Sequence, residues 1–406
     1  MTTDAVGGVW TYALDLGREL VRAGLRVTLA VLGPAPDEDR RRQAALAGLE
    51  VRGLGGELDW TAGDEAEVAA SAARLSALVA ELSPHLIHLN SPALAAFDSL
   101  PVPVLAACHS CVATWWSAVK GAAPLPPDLA WRARLSTRGY AAADVLLAPS
   151  RAFAEATKTA YGLSKAPHVV LNGRTPPLHP ASLRSEGGGA TRSVVTEGAS
   201  PPAVGTPAAA TPPPPGFASS PAPAAQGERR PGDLADPPAL GGAATRGSQA
   251  VLAAGRLWDG GKDLATLDRA SGRLVGIDIA AAGPIAGPGG QGVALQHIRV
   301  LGPLSGTDLD ARLAARPIFV SPSLYEPFGL AVLEAAQAGC PLALSDIATF
   351  RELWEGAAVF FPPGDDATLT ARLDALATDP ARRASLGEAA HARAARYTAS
   401  AMAEAT

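Results

Sequence analysis

The chain has 406 residues, of which 48% are hydrophobic, and a formal net charge of −5 at pH 7. This length suits two domains with separate cores, and the acidic balance argues against a nucleic-acid partner. The sequence lacks a run of about 18 apolar residues that would predict a transmembrane helix, and it lacks a secretion signal. Three cysteines are too few for a disulfide framework, so we expect a protein of the reducing cytoplasm.

The first part of the sequence alternates short apolar segments with helical ones. Strands are predicted over 25–32, 49–54, 85–89, 102–108, 144–148 and 168–171, and helices over 9–23, 37–47, 64–82, 128–143 and 150–161. This alternation predicts a parallel α/β sheet. We place the first domain at residues 1–174.

The beginning of this domain departs from the pattern. Gly7 and Gly8 form a glycine turn before the first helix, a type of turn that lets a phosphate or a sugar approach the backbone. Only residues 1–4 precede this turn, whereas a doubly wound domain has an apolar strand of about five residues before it. We therefore expect the first strand to be missing, as in a truncated chain.

Residues 175–248 are rich in Pro, Ala, Gly, Ser and Thr and are predicted to form a disordered linker. A second α/β domain is predicted over 249–406. Its strands are expected at 249–254, 277–282, 297–301, 317–320, 341–344 and 359–361, with helices at 262–271, 307–315, 328–338, 366–377 and 379–397.

The most informative stretch of the second domain is SPSLYEPFGLAVLEAAQAGCP, residues 321–341. It follows an apolar strand, and a helix is predicted to begin at Phe328, directly after a proline. The amides of Phe328, Gly329 and Leu330 would then be the unpaired donors of a helix N-terminus, which binds anions.

Two carboxylates accompany this predicted anion site. Glu326 lies in the turn before the helix, and Glu334 lies roughly two turns into it. A carboxylate beside a phosphate needs another partner, and sugar hydroxyls are the natural one.

Two cations open the second domain, in the string GRLWDGGK. Arg256 follows the first strand, and Lys262 is predicted at the beginning of the next helix. Together they could surround a diphosphate and stabilise the negative charge that develops when a sugar–phosphate bond breaks.

The E-P-F-G-L…E string, with the Arg and Lys upstream of it, resembles the signature of family 4 glycosyltransferases. That resemblance implies the GT-B fold, in which two Rossmann-like, doubly wound parallel-sheet domains face each other across a cleft. It also implies a retaining transfer of a hexose from a nucleoside-diphosphate sugar to an acceptor hydroxyl, with no metal and no cofactor. The implied roles are diphosphate binding by Gly8, Arg256, Lys262, Phe328, Gly329 and Leu330, ribose binding by Glu334, and catalytic contacts to the donor sugar by His109 and Glu326.

The acceptor side carries less information. The acceptor could be a glycan, a lipid or a small molecule. Trp115 and Trp116 could line an acceptor pocket or could equally belong to an interface core. The basic run 40–42 could touch anionic lipid, but acidic neighbours favour a solvated helix face.

Other functions remain as alternatives at this point. A GT-B epimerase or phosphorylase would need acid/base carboxylates or a cofactor lysine that are not evident. A degenerate copy, which binds nucleotide without transfer, would follow from the missing first strand and from a final helix shorter than the family's. A Rossmann oxidoreductase is set aside because it predicts a Gly-x-Gly-x-x-Gly turn after the first strand, and the Gly7-Gly8 turn does not have that pattern. The pair Cys108 and Cys111 could be redox-active or bind zinc, but two small buried residues at a strand end are the favoured interpretation.

Overall fold

The computed structural model describes residues 1–5, 7–97, 99–175, 250–288 and 290–406, and within them parallel strands alternate with helices, as predicted. The strands of the first half are β1 (Thr2–Asp4), β2 (Thr28–Leu32), β3 (Glu50–Gly53), β4 (Ile87–Leu89), β5 (Val104–Ala107), β6 (Val145–Ala148) and β7 (His168–Val169). The helices of this half are α1 (Gly8–Arg22), α2 (Glu38–Leu46), α3 (Glu65–Leu82), α4 (Val112–Lys120), α5 (Pro127–Ala142) and α6 (Arg151–Tyr161).

The first-half strands form two hydrogen-bonded groups, β1-β2-β3 and β4-β5-β6-β7, in which every pairing is parallel. Asn90, which follows β4, donates its backbone amide to Thr2 Oγ1 (2.9 Å) and its side-chain amide to the Thr2 carbonyl (2.8 Å). These bonds place β1 next to β4. The strand order of the half is therefore 3-2-1-4-5-6-7, which reverses direction between β1 and β4.

The expectation of a missing first strand is wrong. Thr2, Thr3 and Asp4 form β1 and pair with residues 30–32 of β2. The strand has no apolar residue, yet its members are only 1%, 2% and 6% exposed. Its polar groups are satisfied by neighbours such as Asn90, so a search for apolar runs overlooks it.

The second half has one six-stranded parallel sheet. Its strands are β8 (Ala250–Ala254), β9 (Asp278–Ala282), β10 (Arg299–Gly302), β11 (Ile318–Ser321), β12 (Leu342–Ser345) and β13 (Ala358–Phe361), and its helices are α7 (Leu264–Ser271), α8 (Gly306–Ala314), α9 (Leu330–Gln337), α10 (Ala348–Trp354), α11 (Asp366–Thr378), α12 (Pro380–Ala394) and α13 (Ala399–Ala405). The order 10-9-8-11-12-13 is that of a doubly wound Rossmann sheet, and it reverses direction between β8 and β11. The predicted fold class is confirmed.

Alternate residues of β11 show why this sheet is covered on both faces. Phe319 packs into the core cluster that contains α9 and α10, whereas Ile318 and Val320 pack into the cluster that contains α7 and α11. Because successive side chains of a strand point to opposite faces, a continuous apolar run indicates a strand buried on both sides.

The last helix, α13, returns to the first half of the molecule. Met402 packs with Tyr12 and Leu16 of α1. Gly173 lies so close to the start of α13 that a Cβ atom there would be 1.9 Å from the Thr398 carbonyl oxygen. The structure thus has both a first strand and a final helix that crosses back to the first half, so neither feature supports the degenerate-copy alternative.

The described residues belong to one compact unit. The predicted linker, 175–248, lies outside the described residues except for Thr175, and the domain boundaries that flank it stay predictions. Across the described ranges, no helix is long and apolar enough to cross a membrane.

Candidate functional site

The loops after β8 and β11 lie side by side where the order of the six-stranded sheet reverses. The backbone amides of Leu324 and Tyr325 both donate to the carbonyl of Gly261, at 2.9 and 3.1 Å. The two loops that contain the predicted cations and the predicted carboxylate are therefore hydrogen-bonded to each other. In doubly wound sheets this reversal point is where ligands bind.

Lys262 and Glu326 form an ion pair at this point, with side chains only 20% and 14% exposed. The stem of Lys262 crosses Gly255, where a Cβ atom would be 3.7 Å from Lys262 Cε. The prediction that Lys262 begins a helix is wrong. Lys262 ends the 3₁₀ turn Gly260–Lys262, and α7 begins two residues later. The correction follows from Asp263, whose φ of 47° is left-handed and interrupts the helix.

Arg256 lies beside the same loop and is held by one carboxylate. Its Nη2 donates to Asp259 Oδ2 (3.1 Å), and its guanidinium carbon lies 5.8 Å from the ring centre of Trp258. The arginine side chain is 47% exposed, whereas that of Asp259 is 9% exposed. The guanidinium is thus anchored at one edge and open to a ligand at the other.

Helix α9 begins at Leu330, with Gly329 as its N-cap in the left-handed conformation (φ 97°). The prediction that the helix begins at Phe328 is wrong by two residues. Phe328 is 2% exposed, packs edge-on against Tyr397 with ring centres 5.8 Å apart, and belongs to the core. The Leu333 amide makes the first intrahelical bond, to the Gly329 carbonyl, so the unpaired N-terminal donors are the four amides from Gly329 to Val332.

Gly8 brings a second helix N-terminus to the start of α9. It is the first residue of α1, and a Cβ atom at Gly8 would be 3.4 Å from Leu330 Cδ1. Gly7, the N-cap, has a φ of 122° that favours glycine. The positive ends of the α1 and α9 dipoles thus lie next to each other, beside the loop that carries Glu326.

Glu334 lies just over one turn into α9, on the face towards the first half. Its Oε1 pairs with Arg174 Nη1 (3.1 Å), and Arg174 Nε also contacts Asp15 of α1 (3.3 Å). Burial raises the pKa of Glu334, and the Arg174 charge opposes that rise. Arg174, which the sequence analysis used only as a domain boundary, therefore sets the orientation of this carboxylate.

His109 follows β5 and is fixed by Asn90. Its Nε2 lies 2.8 Å from Asn90 Oδ1, and Tyr12 packs edge-on against its ring at 4.4 Å between centres. Because the Asn90 side-chain nitrogen donates to a carbonyl, its Oδ1 must accept, so His109 Nε2 carries the proton. Burial lowers the pKa of His109 to about 4, so the ring is neutral at pH 7 and Nδ1 is an acceptor.

Tyr325 joins the His109 loop to the Glu326 loop, and no role was predicted for it. Its hydroxyl lies 2.9 Å from Thr114 Oγ1, accepts from the Cys111 amide (3.2 Å) and donates to Ser110 Oγ (3.3 Å). The sequence signal was its place next to Glu326, but its partners lie more than 200 positions earlier in the chain.

The cysteine pair of the first half is buried among hydroxyl groups. Cys108 Sγ lies 3.0 Å from Tyr140 Oη, and Cys111 Sγ lies 2.7 Å from Thr114 Oγ1. Both are free thiols, as is Cys340. In the described part of the chain, no three His, Cys, Asp or Glu residues lie close enough to hold a metal ion. The pair therefore fits the packing interpretation.

The chain matches two glycosyltransferase family models and parts of individual glycosyltransferases. The model for Glycosyltransferase Family 4 matches residues 6–175, and the model for Glycosyl transferases group 1 matches residues 294–393. A stretch of 101 residues is 40% identical to glycogen synthase of Mycobacterium tuberculosis, and 76 residues are 37% identical to O-antigen chain mannosyltransferase B of Escherichia coli. These alignments span 24% and 19% of this chain, and 24% and 20% of the relatives.

Solved structures are similar over almost the whole chain. Sucrose-phosphate synthase of Thermosynechococcus elongatus has a TM-score of 0.66 at 16% identity, with 99% of this chain and 93% of that chain covered. Anabaena HepE in complex with UDP-glucose has a TM-score of 0.64 at 15% identity, with 100% and 97% covered. At such low identity the likeness shows the fold, which is GT-B. With both halves matched by the corresponding family models, the chain belongs to the group 1 glycosyltransferases of the family 4 type.

Proposed function

We propose that this protein transfers a hexose from a nucleoside-diphosphate sugar to an acceptor hydroxyl, with retention at the anomeric carbon and without a divalent metal. The observation that carries the proposal is the convergence of Lys262, Arg256 and the N-termini of α1 and α9 at the reversal point of the six-stranded sheet. Cationic side chains and helix N-termini both bind phosphate groups, so this arrangement suits a diphosphate.

The leaving group explains why these charges matter for catalysis. When the sugar–phosphate bond breaks, negative charge grows on the departing nucleoside diphosphate. A group that is already oriented towards that charge lowers the barrier without reorganisation, and removal of one such group costs about 3 kcal/mol in comparable oxyanion sites. Arg256 and Lys262 are the proposed groups, and they would supply the positive charge that a metal ion supplies in other enzymes.

Lys262 has an internal partner that the donor would have to replace or share. Its ammonium pairs with Glu326, whose Cγ would be 3.4 Å from a Cβ atom at Gly329, the cap of α9. A diphosphate at the helix start would draw Lys262 away from Glu326. The carboxylate would then be free to accept from hydroxyls of the donor sugar, which is the role we propose for it.

The other site residues are proposed to hold the two ends of the donor. Arg174 binds one oxygen of Glu334, and we propose that the second oxygen accepts from the ribose hydroxyls. His109 presents a neutral ring with an acceptor nitrogen, and we propose that it binds a hydroxyl of the donor sugar. In this scheme the departing phosphate assists a front-face attack by the acceptor, so no covalent nucleophile is needed.

The donor class is supported by the names of similar proteins. The Anabaena structures contain UDP, UDP with glucose, and UDP-glucose, and the curated relatives include a mannosyltransferase. UDP-glucose is therefore the first donor to test, with a nucleotide-linked mannose after it, and a glycan, a lipid or a small molecule is the proposed acceptor. A cytoplasmic location belongs to the same proposal, because all three cysteines are free thiols.

The test is release of nucleoside diphosphate from UDP-glucose, GDP-mannose, ADP-glucose and dTDP-glucose, with water, a free sugar, an oligosaccharide or a lipid dispersion supplying the acceptor hydroxyl, and with and without EDTA. We expect one donor to be consumed at a rate unchanged by EDTA, and to be consumed about 100-fold more slowly by Lys262→Ala and by Arg256→Ala. Lys165→Ala, which removes an exposed lysine of the first half, is the matched control. Consumption of no donor by a folded wild-type protein would refute the proposal.

A further inference from the structure

Asp259 is the centre of a small hydrogen-bond network next to the proposed diphosphate site. Its Oδ2 accepts from Arg256 Nη2 (3.1 Å). Its Oδ1 accepts from the backbone amide of Gly261 (2.9 Å) and from the indole nitrogen of Trp115 (2.9 Å). With 9% exposure, this carboxylate has little water to replace a lost partner.

Trp115 reaches Asp259 from the other half of the fold. It lies on α4, six residues after His109, whereas Asp259 follows β8. A Cβ atom at Gly261 would be 2.9 Å from Trp115 Nε1, so the indole fits against a position that only glycine can occupy without displacement. The tight contact fixes the direction from which the indole N–H approaches Asp259.

The neighbouring tryptophan makes a different contact. Trp116 Nε1 donates to the carbonyl of Ala123 (2.8 Å), in the loop directly after its own helix. The two indole rings lie 6.4 Å apart, on the same helix and with similar half-exposure. One N–H therefore stabilises the first half alone, whereas the other reaches into the loop that contains both proposed diphosphate ligands.

We propose that Trp115 is a positioning residue for Arg256, and that it acts through Asp259. This inference rests on the proposed function, because it treats Arg256 as a diphosphate ligand. A long, half-exposed arginine loses conformational freedom when it binds phosphate, and an anchor that already fixes its guanidinium reduces that loss. Without the indole N–H, Asp259 Oδ1 keeps only the Gly261 amide, and the orientation of Oδ2 towards Arg256 is no longer enforced. The nucleotide site of one half is thus completed by a side chain of the other.

The experiment compares Trp115→Phe with Trp116→Phe, since each keeps an aromatic ring and removes one indole N–H. Calorimetric titration with UDP, GDP, ADP and dTDP gives the affinity for the nucleotide that binds, and thermal unfolding reports the stability of each variant. The same titrations on Arg256→Ala and on the double variant Trp115→Phe/Arg256→Ala complete a cycle that separates positioning of Arg256 from a general structural effect.

We expect Trp115→Phe to weaken nucleotide binding about tenfold, which is about 1.4 kcal/mol, and Trp116→Phe to leave it unchanged. In the Arg256→Ala background, Trp115→Phe should change the affinity by less than about twofold, the usual limit of additivity. An equal loss in both backgrounds, or no loss in either, would overturn the positioning role while leaving the proposed function intact. If the folded wild-type protein binds none of the four nucleotides, the proposed function fails and this inference fails with it.

Discussion

The contact between Glu352 and α6 yields a prediction about how the two halves are held together. Ser150 caps α6 by accepting from the Phe153 amide (3.2 Å), and it also donates to the carbonyl of Pro327 (2.7 Å). Glu352, on α10 of the second half, accepts from the amides of Arg151 (2.9 Å) and Ala152 (2.7 Å). The first three amides of a helix in one half are therefore satisfied partly by a carboxylate of the other.

The perturbation is Glu352→Ala, and its cost follows from these two bonds. Loss of a capping side chain costs about 0.5–2 kcal/mol, and a carboxylate at a helix N-terminus adds about 0.3–1 kcal/mol from the dipole. Glu352 is exposed, so water can replace it in part. We therefore expect a loss of about 1–2 kcal/mol in unfolding free energy, the upper part of the capping range.

Thermal unfolding is the assay, with Glu355→Ala as the matched control. Glu355 is an exposed glutamate of the same region, and its ion pair is with Arg351 (2.8 Å). Exposed pairs of this kind contribute little. At about 2 °C per kcal/mol for a chain of this size, Glu352→Ala should lower Tm by about 2–4 °C more than Glu355→Ala. Equal Tm values for the two variants would show that the two bonds of Glu352 to α6 do not stabilise the fold.

Three further predictions concern the glycines and a buried histidine. Gly261→Ala should weaken nucleotide binding about tenfold, because its methyl group would be 2.9 Å from Trp115 Nε1. Gly260→Ala should leave binding unchanged, because the nearest atom to its methyl group would be 3.6 Å away. Similar nucleotide affinities for the two variants would contradict the packing of Trp115 against Gly261. Gly173→Ala should displace α13, because its methyl group would lie 1.9 Å from the Thr398 carbonyl oxygen, and trypsin should then cleave faster at Arg396. Gly306→Ala is the control, because its methyl group would have no neighbour within 4 Å. Equal cleavage rates for the two variants would contradict the docking of α13. Burial lowers the pKa of His88 to about 3, whereas in the unfolded chain the pKa of this ring is about 6.5. Between these two values only the unfolded chain binds the proton. The free energy of unfolding should therefore be unaffected by this group above pH 6.5 and should fall by about 1.4 kcal/mol per pH unit as the pH drops towards 3. Urea unfolding between pH 3 and pH 6.5 measures this pH dependence, and His88→Asn should reduce its slope by about 1.4 kcal/mol per pH unit. An unchanged slope would contradict the claim that His88 is neutral in the folded protein.

The motif around Glu326 could be predicted because its information is local. A strand, a proline and an amphipathic helix follow one another within some twenty residues, and the Arg256–Lys262 string has the same property. Patterns of this kind predicted the parallel α/β sheets correctly, and the resemblance of these two strings to a known family implied the GT-B fold.

Other features depend on partners that are distant in the chain. β1 is a polar strand that is buried because Asn90 satisfies Thr2, and no local pattern reveals that bond. Helix α4 was not predicted, because Thr-Trp-Trp is not a helix-forming run; it is a helix whose Trp115 and Thr114 contact the second half.

The site itself shows the same division. The ion pair of Lys262 with Glu326 joins two residues that the sequence had already selected, although it could not show that they pair. By contrast, Arg174 and Asp259 orient Glu334 and Arg256 through contacts that depend on the assembled halves or on a 3₁₀ turn. A search for ligand residues finds the groups that would touch the donor, and the groups that hold them become visible only in the fold.

We propose above all that the reversal point of the second sheet binds a nucleoside diphosphate through Lys262. The most direct measurement is thermal unfolding of wild type, Lys262→Ala and Lys165→Ala with UDP, GDP, ADP or dTDP at about 100 times the dissociation constant, where binding adds about 2.7 kcal/mol. We predict that one nucleotide raises Tm in the wild type and in Lys165→Ala but not in Lys262→Ala. A cooperatively unfolding wild-type protein that responds to none of the four nucleotides would contradict the claim.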